Sequence, residues 1–422
     1  MQANQRVAVI GCGVAGLTAA HILQRQHQVT IFERNDYLGG HTHTVPVTDG
    51  PDAGTPVDTG FIVCNDQTYP LFHRLLDQLG VPLRNSDMSF SYHDEQTGFH
   101  YAGHGLNGLF AQRISLFKPG FWGMLRDITR FCRVGQAELA AGTVPKVTIE
   151  QYVTQHGYGT GFLNWYLAPM MAAIWSTTPG EVLAFPAEAL LRFFKNHGLL
   201  ALKNRPQWQT VVGGSHSYVK AFAEQFQGAV HCGAPVAQVR RTPEAVLVTP
   251  EGQTEQAFDQ VVIAAHADQA FGMLADPSEA ERHLLGPWRY QDNHVVLHTD
   301  PSVLPPTRRA WASWNYVRED SQEASAPVSV TYDMNRLQGL DTQQRYCVSL
   351  NRRTPIPPEC TIRDLHYMHP TYTFESMQTQ AHLASLNGQR KTYFCGSYFG
   401  YGFHEDAVRS ATQVGEGFGL AL

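Results

Sequence analysis

"RVAVIGCGVAGLTAAHILQRQHQVTIFER", Arg6 to Arg34, decides how the rest of the chain is read. An apolar run from Val7 to Ile10 leads into a glycine turn, a helical pattern from Val14 to Gln24 and a second apolar run from Val29 to Phe32. This is a βαβ unit with G-x-G-x-x-G at Gly11, Gly13 and Gly16, and with Glu33 placed 22 positions after the first glycine. The triplet alone is weak, but a strand before it, a helix after it and an acid at the end of the second strand make a nucleotide-binding signature. Gly11 permits the tight turn, Gly13 lets backbone N–H groups approach a pyrophosphate at the positive helix end, and Gly16 lets helix and sheet pack closely. Glu33 would accept hydrogen bonds from a ribose diol.

The whole chain of 422 residues is long enough for two domains, and 43% hydrophobic with 16% charged residues fits an ordered globular protein. A formal charge of -6 gives no general attraction to nucleic acid, so none is expected as a partner. No basic, apolar and small-residue succession precedes Val7, and no apolar run approaches bilayer-spanning length, so a cytoplasmic location is expected. The seven cysteines are scattered, odd in number and contain no C-x-x-C pair; they read as free thiols.

Beyond the first unit, "YPLFHRLLDQL" (Tyr69–Leu79) reads as an amphipathic helix stopped by Gly80. Residues 86–204 carry helical, aromatic-rich stretches without alternation. Near Gln209 "TVVGGSHSYVKAFAEQF" gives strand, glycine pair and helix, and short strands follow. A mixed segment runs to about Thr371, and the end reads as strand, glycine loop and closing helix. The order fits an α/β nucleotide-binding domain in three pieces, residues 1–85, 205–275 and 372–422, with a second domain inserted as 86–204 and 276–371.

The chain leaves the βα pattern after one unit, unlike a simple NAD dehydrogenase. Instead it has Gly39 and Gly40 in "YLGGHTHT", an aspartate-glycine turn in "VDTGF", a mid-chain glycine pair and a glycine loop entering the last helix. In these features it resembles the flavin-containing amine oxidase and phytoene desaturase superfamily. The resemblance implies a two-domain FAD fold, with a Rossmann-like, glutathione-reductase-like FAD domain and an inserted mixed α+β substrate domain. It also implies non-covalent FAD: Gly11, Gly13, Val14, Ala15, Gly16 and Glu33 at its adenosine half and pyrophosphate, and Gly39 and Gly40 beside the phosphates and ribityl chain. Val236 would contact adenine through its backbone. Gly396, Phe403, His404, Glu405, Asp406 and Ala407 would stand near the flavin, with Arg34, Thr42, Gly60, Phe61 and Ala265 completing the cofactor set.

Where many relatives carry an arginine on the FAD phosphate, this chain has His41. A neutral imidazole donates one hydrogen bond, so phosphate affinity would be weaker or pH-dependent. A metal site at His41 and His43 would need both on one side of an extended strand plus further ligands, and His366 and His369 in "HYMH" have no local carboxylate or cysteine partner, so no metal is expected. Cys395 would pack in the strand before the glycine loop rather than bond the flavin.

The resemblance implies an oxidoreductase moving hydride from a C–H bond to flavin N5, and leaves the catalytic residues unknown. Met171 and Trp175 in "LAPMMAAIW", Phe185 in "FPAEALLRFF", and Phe403 would line an apolar pocket suited to a long acyl or isoprenoid chain, although core packing explains the same residues. The bacterial branch that the chain looks most like is similar to the flavoprotein-like domain fused to plant cyclopropane fatty acid synthases. A dehydrogenase or desaturase of a methylated or cyclopropane-related, phospholipid-linked chain is therefore expected. An amine oxidase and a flavin-binding accessory protein to a lipid methyltransferase stay open. Between Tyr101 and Arg133, five cations (Arg113, Lys118, Arg126, Arg130 and Arg133) stand against one carboxylate, Asp127, a local net of +4. After Pro119 an apolar stripe opposes three of these arginines, which would seat either on a membrane surface or on the core.

Overall fold

The computed structural model describes residues 4–175, 179–201, 205–319 and 329–422. Strand β1 (Arg6–Ile10), helix α1 (Val14–Leu23) and strand β2 (Gln28–Phe32) form the βαβ unit expected. β1 lies at the centre of a five-stranded, all-parallel sheet whose order is Ala229–His231, β2, β1, Gln260–Ile263, Thr392–Phe394. Its strands come from segments more than 350 residues apart, which only non-local burial can hold together. α1 and the last helix, His404–Gly417, pack against each other along one face of that sheet.

The second layer is a seven-stranded mixed sheet in the order Thr361–Thr371, Arg289–His298, Cys347–Leu350, Ser329–Asp333, Trp314–Arg318, Phe90–Asp94, His100–Ala102. Two of its strands correct the helical reading of residues 86–204. Phe90–Asp94 carries four consecutive buried residues and shows no alternation, while His100–Ala102 is too short to show a period. The rest of that stretch is helical, with Pro119–Ala141 the longest helix and Ala168–Trp175 and Ala187–Asn196 beside it. The boundary placed near residue 204 lies outside the described residues. At the other expected boundary, Arg241 pairs with Asp276 at 2.8 Å and with Glu281 at 2.7 Å, tying helix Glu279–Leu285 to strand Val236–Arg241. Among the described residues no helix is long and apolar enough to cross a membrane.

Helix α2 (Pro70–Leu79) ends on Gly80 in the left-handed region, as the sequence indicates. Its start is capped from a distance: Tyr69 offers no capping oxygen, and the Glu405 carboxylate accepts the N–H groups of Leu71 and Phe72 at 3.1 and 2.9 Å.

Candidate active site

Both sheets and the helical segment line one cavity of about 1270 Å³. At one end stands the turn between β1 and α1. Gly13 caps α1 without any side-chain bond, leaving the first-turn N–H groups, those of Val14 and Ala15, at the cavity wall. Gly16 is needed for packing: a Cβ there would lie 1.9 Å from the Gly11 carbonyl oxygen. Glu33 is buried and lines the cavity, with Oε2 accepting from the Cys12 N–H at 2.7 Å and Oε1 from the Asn35 N–H at 2.9 Å.

The glycine pair is fitted to this turn. The Gly39 N–H donates to the Cys12 carbonyl at 2.8 Å, and Gly39 holds φ of +116°, where a Cβ would meet the Thr42 carbonyl oxygen at 2.6 Å. A Cβ on Gly40 would approach the Gly13 Cα at 3.2 Å, so the two glycine segments pack backbone to backbone.

Most of the expected cofactor residues meet around the cavity: Gly11, Gly13, Val14, Ala15, Glu33, Arg34, Gly39, Gly40, His41, Gly60, Phe61, Val236, Ala265, Gly396, Phe403, His404 and Ala407. Four others do not line it. Gly16 serves helix–sheet packing, as expected of the third glycine. Thr42 is fully buried and bonds Tyr218 and, at 3.1 Å, the His404 Nε2. Glu405 is committed to α2, and Asp406 accepts from the Tyr401 and Phe403 N–H groups and pairs with Arg409. Both acids sit in the first turn of the last helix, where the carboxylates satisfy backbone donors, and this turns them away from the cavity.

Histidines form a feature that the sequence reading did not assemble. The His41 ring lies 5.6 Å from His369 and 6.0 Å from His266, with the Tyr367 ring at 5.1 Å. Burial holds His41 down at about 4, helped by Arg34 and opposed by a hydrogen bond to the Met368 carbonyl; its Nε2 has no partner among the described residues. Burial likewise takes His266 and His369 to about 3, with His41 as a further cause in each. His404 stacks on Phe61 at 3.6 Å, and burial first, then His41, keeps it well below the usual histidine range. The wall is therefore neutral at pH 7. Period-two alternation could have separated "HYMH": His369 joins the cluster, whereas His366 pairs with Asp292 on the exposed side, opposite His294 and its partner Asp364. The Cys395 thiol is fully buried, does not line the cavity, and burial pushes it up to about 12.

The far end of the cavity is apolar. Tyr166, Met170 and Ile174 face it at four-residue spacing, together with Leu109, Leu125 and Ile128. Of the expected pocket residues, Trp175 and Phe403 line it. Met171 does not; it lies one position off that stripe and is fully buried in the core. Phe185 stacks on Trp175 at 4.8 Å and lines a separate small cleft.

A glycine cradle against an uncapped helix end, an acid at the end of β2 and a long cavity running to a second domain fit an extended dinucleotide. The family model for flavin-containing amine oxidoreductases matches residues 14–415. The chain belongs to that family, an FAD-dependent group of oxidoreductases. A Mycobacterium tuberculosis protein provisionally named flavin-containing monoamine oxidase AofH is 27% identical over 350 residues, covering 78% of this chain and 70% of its own length. A 1-hydroxycarotenoid 3,4-desaturase of a Flavobacterium species is 33% identical over 98 residues, 23% of this chain and 18% of the desaturase. Similar solved structures include a fatty acid isomerase from P. acnes (TM-score 0.68, 14% identity, 97% of this chain and 98% of that one). Putrescine oxidase bound to putrescine is also similar (TM-score 0.69, 15% identity, 98% and 99%). At these identities the structures speak for the fold: a two-domain FAD-binding architecture.

Proposed function

We propose that this FAD-dependent oxidoreductase is a dehydrogenase or desaturase of a long, uncharged acyl chain, of the methylated or cyclopropane-related kind carried by phospholipids. The observation that carries this reading is the charge of the cavity wall. Among the described residues that line it, the carboxylates are Glu33 and Glu251, both at the end that holds the β2 terminus and Val236. An alkylammonium entering the far end would leave water without an anionic partner, whereas a hydrocarbon chain gains from the same wall. Arg34 stands at the Glu33 end, and the other guanidinium on the wall is that of Arg205, beside Leu199 and Trp208, which suits an acyl carboxylate or phosphate. Bound FAD supplies the two-electron acceptor. The chain's own residues orient the substrate, exclude water and keep a neutral histidine wall.

A second reading, amine oxidation, is favoured by Phe403, an aromatic ring on the cavity wall of the kind whose face receives a cation. The 27% relative carries a monoamine oxidase name. Anaerobic mixing of the FAD-loaded protein with acyl phospholipids or with alkylamines, followed through the visible flavin absorption, separates the readings. Bleaching by acyl substrates alone is expected. Bleaching by amines alone would establish the second reading, and bleaching by neither would favour an accessory role beside a lipid methyltransferase.

A further inference from the structure

Residues 105–122 form an exposed apolar knob at the outer side of the substrate cavity. The segment folds as helix Gly105–Leu109, a 3-10 turn Arg113–Phe117 and the first turn of helix Pro119–Ala141. Of the eight large hydrophobic side chains exposed among the described residues, five fall here: Leu106 (75% exposed), Phe117 (79%), Ile114, Trp122 and Leu116. Contacts join them into one surface. The Trp122 indole N–H donates to the Leu116 carbonyl at 2.9 Å, its ring meets Phe110 at 5.6 Å, and Arg113 bonds Asn107 at 2.8 Å. With its one polar atom satisfied internally, Trp122 presents a half-exposed ring to the outside. A cluster of this kind on a folded chain marks a contact surface rather than scattered exposure.

Charge identifies the contact. No aspartate or glutamate occurs between Glu95 and Asp127, while Arg113 and Lys118 lie within the knob; Arg126, one turn later, is already paired with Asp127 at 3.6 Å. Apolar side chains among cations without any carboxylate match the headgroup region of an anionic bilayer. Leu109 of this segment, and Leu125 and Ile128 further along the helix Pro119–Ala141 that it enters, line the cavity. An acyl chain leaving the bilayer would therefore pass from the outer to the inner apolar side of one structural segment without crossing water. The arginine face suggested by sequence is less suitable. Arg130 is held by the His156 and Gly157 carbonyls at 2.9 and 3.0 Å and lies over the Tyr158 ring at 4.2 Å.

We infer that residues 105–122 dock the protein peripherally on anionic membrane and open the substrate cavity to the bilayer, an inference that rests on the acyl-chain reading for the passage and on surface chemistry alone for the docking. The test is sedimentation of the FAD-loaded protein with phosphatidylcholine vesicles, with and without phosphatidylglycerol, comparing the parent with Leu106→Ser plus Phe117→Ser. The parent is expected to bind the anionic vesicles, more weakly as salt rises, and the double variant to bind at least tenfold less. Both positions are exposed, so FAD content and melting temperature should match the parent's, which separates loss of docking from loss of fold. Absence of parent binding, or equal binding by the variant, overturns the inference. So does a parent dimer that becomes monomeric in the variant, since a second copy would then cover the knob. Vesicle binding is read without turnover. Binding with no bleaching by acyl substrates would sink the substrate reading alone, and bleaching by soluble short acyl substrates without binding would sink the docking alone.

Discussion

Glu33 Oε2 accepts the backbone N–H of Cys12 at 2.7 Å, so the acid at the end of β2 braces the glycine turn at the end of β1. The residue that the motif assigns to a ribose thus also shapes the loop beside it. Glu33→Ala should weaken FAD binding by about 1 to 3 kcal/mol through loss of a charge-assisted contact. It should also lower the melting temperature of the FAD-free protein, because the Cys12 and Asn35 N–H groups lose their acceptor. Flavin-fluorescence titration and melting of the apoprotein measure the two effects. Unchanged FAD affinity would place the ribose elsewhere.

Two glycines of one motif should separate cofactor from fold. A Cβ on Gly13 meets nothing within 4 Å among the described residues, and its φ of -69° suits alanine. Gly13→Ala should therefore leave the apoprotein's stability within about 0.5 kcal/mol of the parent's while weakening FAD binding at least tenfold. Gly16→Ala drives a methyl into the Gly11 carbonyl and should reduce the yield of folded protein itself. Normal FAD retention in Gly13→Ala would refute the cradle.

His41 contradicts the simplest expectation for a phosphate-side histidine. Its ring already donates to Met368, and burial keeps it neutral down to about pH 4, so a second N–H for a phosphate is missing near neutrality. FAD affinity should accordingly stay level, within about twofold, from pH 8 to pH 6, given an unperturbed histidine value near 6.5. A tenfold gain on acidification would show that the cofactor itself recruits the imidazolium.

The same shift has a consequence for stability. A histidine whose folded value is depressed lets the unfolded chain take the proton first, so its contribution is intact above pH 6.5 and declines as pH falls toward 4. Between pH 7 and pH 5 the parent apoprotein should lose about 1 to 2 kcal/mol relative to His41→Gln, at a slope no steeper than about 1.4 kcal/mol per pH unit. The comparison with the variant is needed because Asp58, which burial raises to about 7, acts with the opposite sign. Parallel pH profiles of the two proteins would mean that His41 is solvated.

Glu405 should behave as a structural acid. Glu405→Ala leaves the Leu71 and Phe72 N–H groups of α2 without an acceptor and should cost about 1 to 3 kcal/mol in denaturant unfolding. The fraction of folded protein that holds FAD should stay at the parent's level. A variant that unfolds like the parent but loses FAD would return Glu405 to the cofactor.

The βαβ unit, its glycine motif and the family were legible in the chain because they rest on local physics. An alternation of apolar runs and turns needs no partner to be recognised, and two of the three glycines are required by the backbone itself, Gly11 by its φ of +89° and Gly16 by the nearby Gly11 carbonyl. Helix α2 and its glycine stop were legible for the same reason. Tertiary structure alone decided which side of a helix or strand meets the cavity. The acids Glu405 and Asp406 fall where the resemblance puts the flavin edge, but backbone donors from α2 and from their own loop claim them. On helix Ala168–Trp175, Met170 and Met171 are equivalent in composition, and rotation by one residue sends one to the cavity and the other to the core. His41, His266 and His369 stand 225 and 103 positions apart along the chain. They become one neutral wall because a parallel sheet and an antiparallel edge strand bring them together, and burial removes their charge.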